Sequence, residues 1–335
     1  MACSGGADSL ALAVAVAFEI PRTSLSAGAV VVDHDLQDGS RRVAERAAGQ
    51  CQGLGLDPVE VVTVRVGSSG CGMGGSGTGG IGMGGNKGSG PESRARDARY
   101  GAFEDVTSRI GAVAVLLGHT RDDQAEQVLL GLARGSGARS LSGMPARRGP
   151  YVRPFLAVAR ATTLAACEAT GLTPWVDPQN SDPAYSRVRA RALLPVLEAE
   201  LGPGSVAALA RSADLLREDA DALDALATQI RGELRQLGQL EDGTHQEIEA
   251  ALLLRLPRAI RTRVWRLLAV EAGCPPGALI ASHIESLDTL VTGWRGQGPI
   301  DLPGRVQGSR KDGRVLVAAS GRVEWAGKQA GRPAH

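Results

Sequence analysis

The chain has 335 residues, of which 43% are hydrophobic and 22% are charged. At about 150 residues per domain, this length favours two domains with enough apolar material for a core. The 37 basic and 36 acidic side chains nearly cancel, which excludes a polybasic protein that binds nucleic acid through bulk charge. No apolar run reaches the roughly 18 residues that cross a bilayer, and the first residues lack a basic and apolar leader, so neither a membrane span nor a secretory signal is expected.

The cysteine pattern predicts reduced thiols. Cys3, Cys51, Cys71, Cys167 and Cys274 lie far apart and none forms a C-x-x-C pair. A zinc ribbon or a cysteine-ligated iron–sulfur cluster is therefore not expected. A scattered, odd set of cysteines is typical of a cytoplasmic protein.

Short apolar runs and helical patterns alternate over the first part of the chain. The predicted helices cover 10–18, 41–54, 92–110 and 122–133, and the predicted strands cover 29–32, 59–66 and 112–117. Strands that alternate with helices predict an α/β fold with a doubly wound parallel sheet. Residues 67–90 are about half glycine, which predicts a flexible loop whose few contacts cannot offset its ordering entropy.

The pattern changes after about Pro195. Residues 206–237 predict one or two exposed helices, residues 257–272 predict an amphipathic helix, and the runs 300–302 and 315–317 predict a terminal hairpin. We therefore expect an α/β domain over 1–195, a smaller, mainly helical domain over 196–325, and a tail over 326–335.

The segment 4–9 predicts a phosphate-binding loop. Gly5 and Gly6 permit close backbone approach, Ser4 and Ser9 carry hydroxyl groups, and a helix follows at once. The N–H groups and dipole of that helix therefore point at the loop, an arrangement that binds anions. The Walker lysine is absent, so the segment is not a P-loop of that type. The alternative is an ordinary glycine turn capped by Asp8 or Ser9.

Two predicted strands end in polar side chains. Asp33 and His34 follow the strand over 29–32, and His119 follows the strand over 112–117. Ligands of parallel sheets bind at the carboxyl ends of strands, which makes all three candidate site residues. For Asp33 and His34 taken alone, the capping of a turn is the favoured explanation.

Three acidic residues open the helix after His119. Asp123 and Glu126 are three positions apart, so their carboxylates face the same way, and Asp122 precedes them. Such a pair can hold Mg²⁺ or a cationic amine. The alternative is that these acids only complement the positive end of the helix dipole.

An ordered set of motifs resembles known families. The loop 4–9 resembles the pyrophosphate-binding loop of the N-type ATP pyrophosphatases, the PP-loop superfamily. The set as a whole resembles the bacterial tRNA(Ile)-lysidine synthases. Its members are Asp33-His34, Arg96-x-x-Arg99-Tyr100, Gly118-His119-x-x-Asp122-Asp123-Gln124-x-Glu126, Arg134-Gly135-Ser136-Gly137, Leu141-x-Gly143-Met144, Arg153-Pro154, Trp175-x-Asp177-Pro178-x-Asn180 and Arg187-x-Arg189-x-Arg191 with Leu194-Pro195.

The resemblance implies a two-step reaction. ATP binds in the loop 4–9 with Mg²⁺, for which Asp8 and Asp122 are the candidate ligands. The C2 carbonyl oxygen of the first anticodon cytidine of an isoleucine tRNA with a CAU anticodon attacks the α-phosphate, which releases pyrophosphate. The ε-amine of free L-lysine then displaces AMP and leaves lysidine.

The resemblance also implies roles for individual residues. Asp123 and Glu126 would bind the lysine cation, and Asp33, His34 and His119 would join them as catalytic residues. Either His119 or Asp33 could assist the loss of protons from the lysine amine. A homodimer is a further expectation.

Arginines would hold the phosphates. Arg96, Arg99, Arg187 and Arg191 fall in the matching motifs, and guanidinium groups bind phosphate in a bidentate way. The alternative is that these arginines only lie on solvent-exposed helix faces. In the predicted helix after Pro257, we expect Arg258, Arg261 and Arg266 to share an outer face, which either contacts the tRNA backbone or is simply solvated.

Two other functions stay open at this stage. One is a tRNA thiolase of the same superfamily, although those enzymes often need paired cysteines. The other is an inactive RNA-binding protein, because only three residues precede Ser4 where the family has a full strand. We expect that the first strand is largely missing and that the true start lies upstream. Asp35 also stands where the family usually has glycine.

Overall fold

The computed structural model describes residues 1–34, 39–64, 91–240 and 243–320. The predicted glycine-rich loop at 67–90, Asp35 and the predicted tail over 326–335 lie outside the described residues. The chain divides into two compact units, Met1–Arg217 and Glu218–His335. The sequence-based boundary at Pro195 falls inside a helix, Ser186–Glu200.

The first unit alternates strands and helices. Its elements are β1 (Ala2–Cys3), α1 (Ala7–Glu19), β2 (Ala29–Asp33), α2 (Ser40–Gly53), β3 (Val59–Thr63), α3 (Pro91–Ile110), β4 (Val115–Leu116), α4 (Arg121–Ala133), α5 (Ala138–Leu141), β5 (Arg147–Arg148), β6 (Tyr151–Val152), α6 (Arg160–Ala169), α7 (Ser186–Glu200) and the start of α8 (Ser205–Gln236). Short 3₁₀ helices cover Ile20–Arg22 and Pro178–Ser181.

A parallel sheet lies at the centre of this unit, as predicted. Strands β1, β2 and β3 pair in that order, all parallel, with Ala2 opposite Val30. Both faces of β2 are buried. Val31 packs with residues of α1 and α2, whereas Val30 packs with Phe103 of α3. Helices therefore cover both faces, which confirms the doubly wound arrangement.

A second, separate sheet of three strands lies beside α1. Its order is β4, β6, β5, with β4 parallel to β6. The strand predicted over 112–117 is shortened to Val115–Leu116. Beyond it, a Cβ atom on Gly118 would lie 2.9 Å from the carbonyl oxygen of Asp8 and 3.1 Å from Cα of Ser9. Glycine at 118 therefore lets the end of β4 lie directly against the first turn of α1.

The second unit is built from the rest of α8, three further helices and an antiparallel sheet. Its elements are α9 (Ala250–Leu254), α10 (Arg258–Glu271), α11 (Ala281–Thr292), β7 (Gln246–Glu249), β8 (Ile300–Leu302), β9 (Val306–Lys311) and β10 (Arg314–Ala319). The sheet order is β7, β10, β9, β8. The predicted hairpin is corrected in its pairing, because β9 lies between the two predicted strands and pairs with both.

The expected basic face of α10 is also corrected. Arg261 is 7% exposed and donates to both carboxylate oxygens of Asp288, at 2.6 and 3.0 Å. The indole of Trp265 donates to the same carboxylate. Arg266 donates to two backbone carbonyl groups, whereas Arg258 stays exposed. Arg261 therefore belongs to the core of this unit and not to an outer surface.

Within the described ranges, no single helix is long and apolar enough to cross a membrane. The bent pair Ser186–Glu200 and Ser205–Gln236 passes that test of length and composition only when the two helices are taken together.

Candidate active site

The loop 4–9 is closed by its own serines. Gly5 has φ +78°, a conformation that favours glycine, and a Cβ atom there would lie 3.1 Å from Cβ of Ala47. The hydroxyl of Ser9 accepts a hydrogen bond from the N–H of Ser4 at 3.1 Å and donates to the carbonyl of Gly6 at 2.9 Å. Gly6 is the N-cap of α1 and supplies no side-chain cap. First-turn N–H groups of α1 are therefore left to serve an anion.

Asp8 is held by α6. Its Oδ2 accepts from Nη2 of Arg160 at 2.7 Å, and its Oδ1 accepts from the hydroxyl of Thr163 at 2.6 Å. Asp122 accepts from the backbone N–H of Arg160 at 2.8 Å. Asp8 thus joins α6 to the end of the loop 4–9, whereas Asp122 joins the start of α6 to α4. Across the described part of the chain, no group of three or more His, Cys, Asp or Glu side chains is placed to hold a metal ion.

Asp123 and Glu126 lie on one face of α4, as predicted. Asp123 completes a capping box, since its Oδ2 accepts from both the backbone N–H and the hydroxyl of Thr120, at 2.8 and 3.0 Å. Glu126 is fully buried. Burial raises the pKa of Glu126 above its ordinary value, although the hydrogen bond from Arg191 opposes this shift.

Two of the predicted phosphate-binding arginines contact these acids. Arg191 donates from Nε to Oε1 of Glu126 at 2.5 Å, and its Nη2 lies 3.6 Å from Oδ1 of Asp123. Arg187 Nε lies 3.8 Å from Oε2 of Glu126. Burial opposes the charged form of Arg191, but the hydrogen bond to Glu126 and the charges of Glu126, Asp123 and Asp8 together raise its pKa above the ordinary value. Arg191 therefore joins the two acids and is close enough to Asp8 to interact with its charge.

His34 and Arg99 form a second pair. Nε and Nη2 of Arg99 lie 3.2 and 3.1 Å from Nε2 of His34. Burial and the charge of Arg99 lower the pKa of His34, which favours the neutral ring, and its Nε2 accepts a hydrogen bond from Arg99. Asp33, at the end of β2, is 4% exposed. The structure thus joins a predicted catalytic residue to a predicted phosphate-binding residue.

His119 is held neutral. Burial lowers its pKa to about 4, and the charges of Arg153, Arg187 and Arg96 act in the same direction, against that of Asp123. Its Nδ1 is buried and has no hydrogen-bond partner among the described residues. His119 is therefore a neutral, polar group surrounded by positive charge.

Arg96 lies over an aromatic cluster. Its guanidinium is 5.0 Å from the ring centre of Tyr100, whose ring meets those of Phe103 and Tyr151 edge to face at 5.8 and 4.8 Å. Arg96 lies close enough to Arg99 for its charge to act on that residue, and so does Arg187. We call these three arginines the positively charged wall of the site. An anionic substrate such as a nucleotide phosphate fits that charge.

Three polar residues of the site had no role in the sequence interpretation. Arg160 and Thr163 hold Asp8, but α6 carries no pattern that marks them. Gln124 was included only as a motif residue. Its side-chain amide donates to the carbonyl of Met144 and accepts from the N–H of Met144. The signal that could have drawn attention to Gln124 is its position between two buried acids.

Comparisons with known proteins show the family of the chain. A family model described as the PP-loop domain matches residues 1–197. The tRNA(Ile)-lysidine synthase of Thermobifida fusca (strain YX) is 53% identical over 320 residues, which cover 95% of this chain and 91% of that protein. The tRNA(Ile)-lysidine synthase of Streptomyces coelicolor is 53% identical over 321 residues, 95% of this chain and 84% of that protein. That of Salinispora tropica is 49% identical, with coverage of 96% and 90%.

The chain belongs to the tRNA(Ile)-lysidine synthase family. It is an enzyme of the PP-loop superfamily and uses ATP, which confirms the resemblance read from the sequence. Among solved structures, the U34-tRNA thiolase NcsA from Methanococcus maripaludis is 19% identical, covers 65% of this chain and 71% of that one, and has a TM-score of 0.49.

Membership of the tRNA(Ile)-lysidine synthase family concerns the chain as a whole. The roles of single residues stay predictions, and the structure adds where each one lies. All the predicted site residues fall in the first unit, between Ser4 and Arg191. The four described cysteines, Cys3, Cys51, Cys167 and Cys274, are free and buried.

Proposed function

We propose that this enzyme ligates L-lysine to C2 of the first anticodon cytidine of an isoleucine tRNA with a CAU anticodon, using ATP and forming lysidine. The single observation that carries the proposal is the position of Arg191. The guanidinium of Arg191 donates a hydrogen bond to Glu126 at 2.5 Å and interacts electrostatically with Asp123 and Asp8. A carboxylate pair that already holds a cation, beside a phosphate loop, supports a reaction between a cationic amine and a nucleotide.

In the first step the enzyme orients ATP. We assign the α- and β-phosphates to the loop 4–9 and to the first-turn N–H groups of α1. Arg160 and Thr163 fix Asp8, so the loop is preorganised. Positive charge from Arg187 and the α1 dipole would stabilise the charge that develops on the α-phosphate.

Magnesium is proposed to accompany ATP. Both carboxylate oxygens of Asp8 already accept hydrogen bonds, and Oδ2 of Asp122 accepts one from the backbone N–H of Arg160. These acids can take at most an outer place around a cation that is bound mainly to phosphate oxygens and water. When bound, such an ion would neutralise charge on the departing pyrophosphate.

In the second step Asp123 and Glu126 would bind the lysine substrate. The ammonium of lysine replaces the guanidinium of Arg191 on Glu126, and Arg191 then becomes available to phosphate. His119 stays neutral because of burial, so we assign it a hydrogen bond to the attacking amine or to the cytidine. Asp33 and His34 would complete the base pocket, with His34 oriented by Arg99.

The tRNA backbone would contact Arg96, Arg99 and Arg187. These side chains belong to the positively charged wall, and arginine contacts to phosphate position a nucleic acid without reading its sequence. Tyr100 lies beneath Arg96 and could support the anticodon loop by stacking. The second unit is proposed to contact tRNA, the site of action is proposed to be the cytoplasm, and the homodimer stays a prediction.

The experiment is the ATP-dependent incorporation of labelled lysine into a transcript of the isoleucine tRNA with a CAU anticodon. The matched control is the same transcript with a GAU anticodon, whose first base is not cytidine. We expect incorporation into the CAU transcript alone, with one AMP and one pyrophosphate per lysine. Formation of a thionucleoside, or binding of tRNA with no release of pyrophosphate, would contradict the proposal in favour of a thiolase or an inactive binding protein.

A further inference from the structure

Gln124 makes a closed pair of hydrogen bonds with the backbone. Its Nε2 donates to the carbonyl of Met144 at 2.9 Å, and its Oε1 accepts from the N–H of Met144 at 2.6 Å. The side chain is 1% exposed, so neither bond competes with water. Because one end of the amide donates and the other accepts, no other side chain of similar size satisfies both backbone groups.

The opposing backbone is shaped for this contact. Gly143 has φ +61°, and a Cβ atom there would lie 2.5 Å from Oε1 of Gln124. A side chain at 143 would therefore push the amide away. Glycine at 143 and glutamine at 124 depend on each other.

The segment after Met144 reaches the active site through Arg153. Nη1 of Arg153 donates to the carbonyl of Pro145 at 2.9 Å, and the backbone N–H of Arg153 donates to Ala146 at 2.8 Å. Arg153 is 6% exposed, and its Nε is buried with no hydrogen-bond partner in the described part of the chain. The position of the Arg153 guanidinium therefore depends on the carbonyl of Pro145, to which its Nη1 is bonded.

Arg153 lies beside the end of β4. The N–H of Leu117 donates to the carbonyl of Val152 at 2.8 Å, so residues 118–119 and Arg153 leave the paired strands side by side. The charged side chains that influence the pKa of His119 belong to four different parts of the fold. They are Asp123 of α4, Arg153 after β6, Arg187 of α7 and Arg96 of α3.

We propose that Gln124 is a positioning residue of the active site, which fixes the segment 144–145 and through it the guanidinium of Arg153. The inference rests on the proposed function, because the site that Arg153 faces is the one assigned above. Gln124 does not touch substrate in this arrangement. It keeps a positive charge beside His119, which disfavours protonation of the ring and leaves Nδ1 for a substrate.

The test is the titration of His119 in the full chain, followed by NMR and assigned with the variant His119→Asn. In Gln124→Glu the carboxylate places an acceptor against the Met144 carbonyl, so the segment should shift and Arg153 with it. We expect the pKa of His119 to rise by at least ~0.5 units. Lysidine formation should slow about tenfold, with KM for ATP within about twofold of the parent.

The matched control is Gln127→Glu, which makes the same chemical change at a half-buried position of the same helix. It should leave both the titration and the rate unchanged. If Gln124→Glu does not fold, Arg153→Gln removes the charge without altering the amide contact and must raise the pKa of His119. An unchanged pKa in folded Gln124→Glu or in Arg153→Gln, or an equal shift in the control, would overturn the proposal. The NMR readout needs no substrate, so it stands or fails separately from lysidine synthesis.

Discussion

Nε of Arg191 lies 2.5 Å from Oε1 of Glu126, and Nη2 of the same arginine lies 3.3 Å from Oε2. The sequence interpretation assigned the acid to lysine and the arginine to phosphate, and the structure shows them bound to each other. Glu126 is fully buried, whereas the Arg191 side chain is about one-third exposed. The pair therefore gives a fully buried carboxylate a cationic partner that is itself partly exposed to solvent.

Arg191→Met should destabilise the protein, because among the described residues Glu126 would keep only the longer contact from Arg187. Removal of one partner from a buried ion pair costs about 3 kcal/mol, and thermal unfolding would measure this loss. Adding Glu126→Gln should recover most of it. The control is Arg189→Met on the exposed face of α7. Equal melting temperatures for the parent and Arg191→Met would contradict the argument.

Thr163→Val should weaken ATP binding. The substitution keeps the side-chain volume but removes the 2.6 Å hydrogen bond that fixes Asp8 in the phosphate loop. A hydrogen bond to a charged group contributes about 1.5–3 kcal/mol, so the Kd for ATP should rise by roughly tenfold or more. Thr162→Val, an exposed neighbour on α6, is the matched control. Calorimetric titration with ATP would measure the Kd of both variants. An equal Kd in the two would count against a role for Asp8.

Gly118→Ala should disrupt the contact between β4 and α1. The added Cβ atom would meet backbone atoms of Asp8 at 2.9 Å, and backbone cannot rotate away. We expect a loss of stability of about 1–3 kcal/mol and weaker ATP binding. Gly101→Ala has no atom within 4 Å of the new Cβ and lies in α3, so it should stabilise by up to about 1 kcal/mol. Chemical denaturation of the two variants would show opposite signs.

Acid should destabilise the parent through His119. Its pKa is about 4 in the folded protein and near 6.5 when unfolded, so the unfolded state binds more protons between those values. Stability from the neutral ring is fully present above pH 6.5 and is lost as the pH falls towards 4, by on the order of 3 kcal/mol at most. His119→Gln should flatten that dependence, with the stability difference from the parent constant above pH 7. An identical slope in both proteins between pH 4 and 6.5 would contradict this.

Much of the fold was readable because it follows local patterns. The β-branched run in β2 is buried on both faces, and the helix after the loop 4–9 begins where the glycines end. Strand β9 was missed because its sequence, Val-Gln-Gly-Ser-Arg-Lys, lacks an apolar run, and its pairing with two neighbours is a tertiary effect.

The site could be predicted by residue type but not by partner. Asp8, Asp123 and Glu126 were found from motifs, yet the contacts of Asp8 with Arg160 and of Glu126 with Arg191 depend on helices far along the chain. Arg261 is a further example, because the helical spacing of α10 cannot reveal that its partner, the buried carboxylate of Asp288, lies on another helix. Long-range ion pairs leave no periodic signal in a single sequence.

The measurement that tests the central claim most directly separates the two chemical steps in Glu126→Gln. The variant keeps the size of the side chain but removes the charge that we assign to the lysine cation. Pyrophosphate release without lysine should persist at about the parent rate, whereas lysidine formation at low lysine should fall by at least about tenfold and recover in part at high lysine. Equal loss of both steps, with no rescue by lysine, would show that Glu126 serves ATP or the fold and would contradict the account.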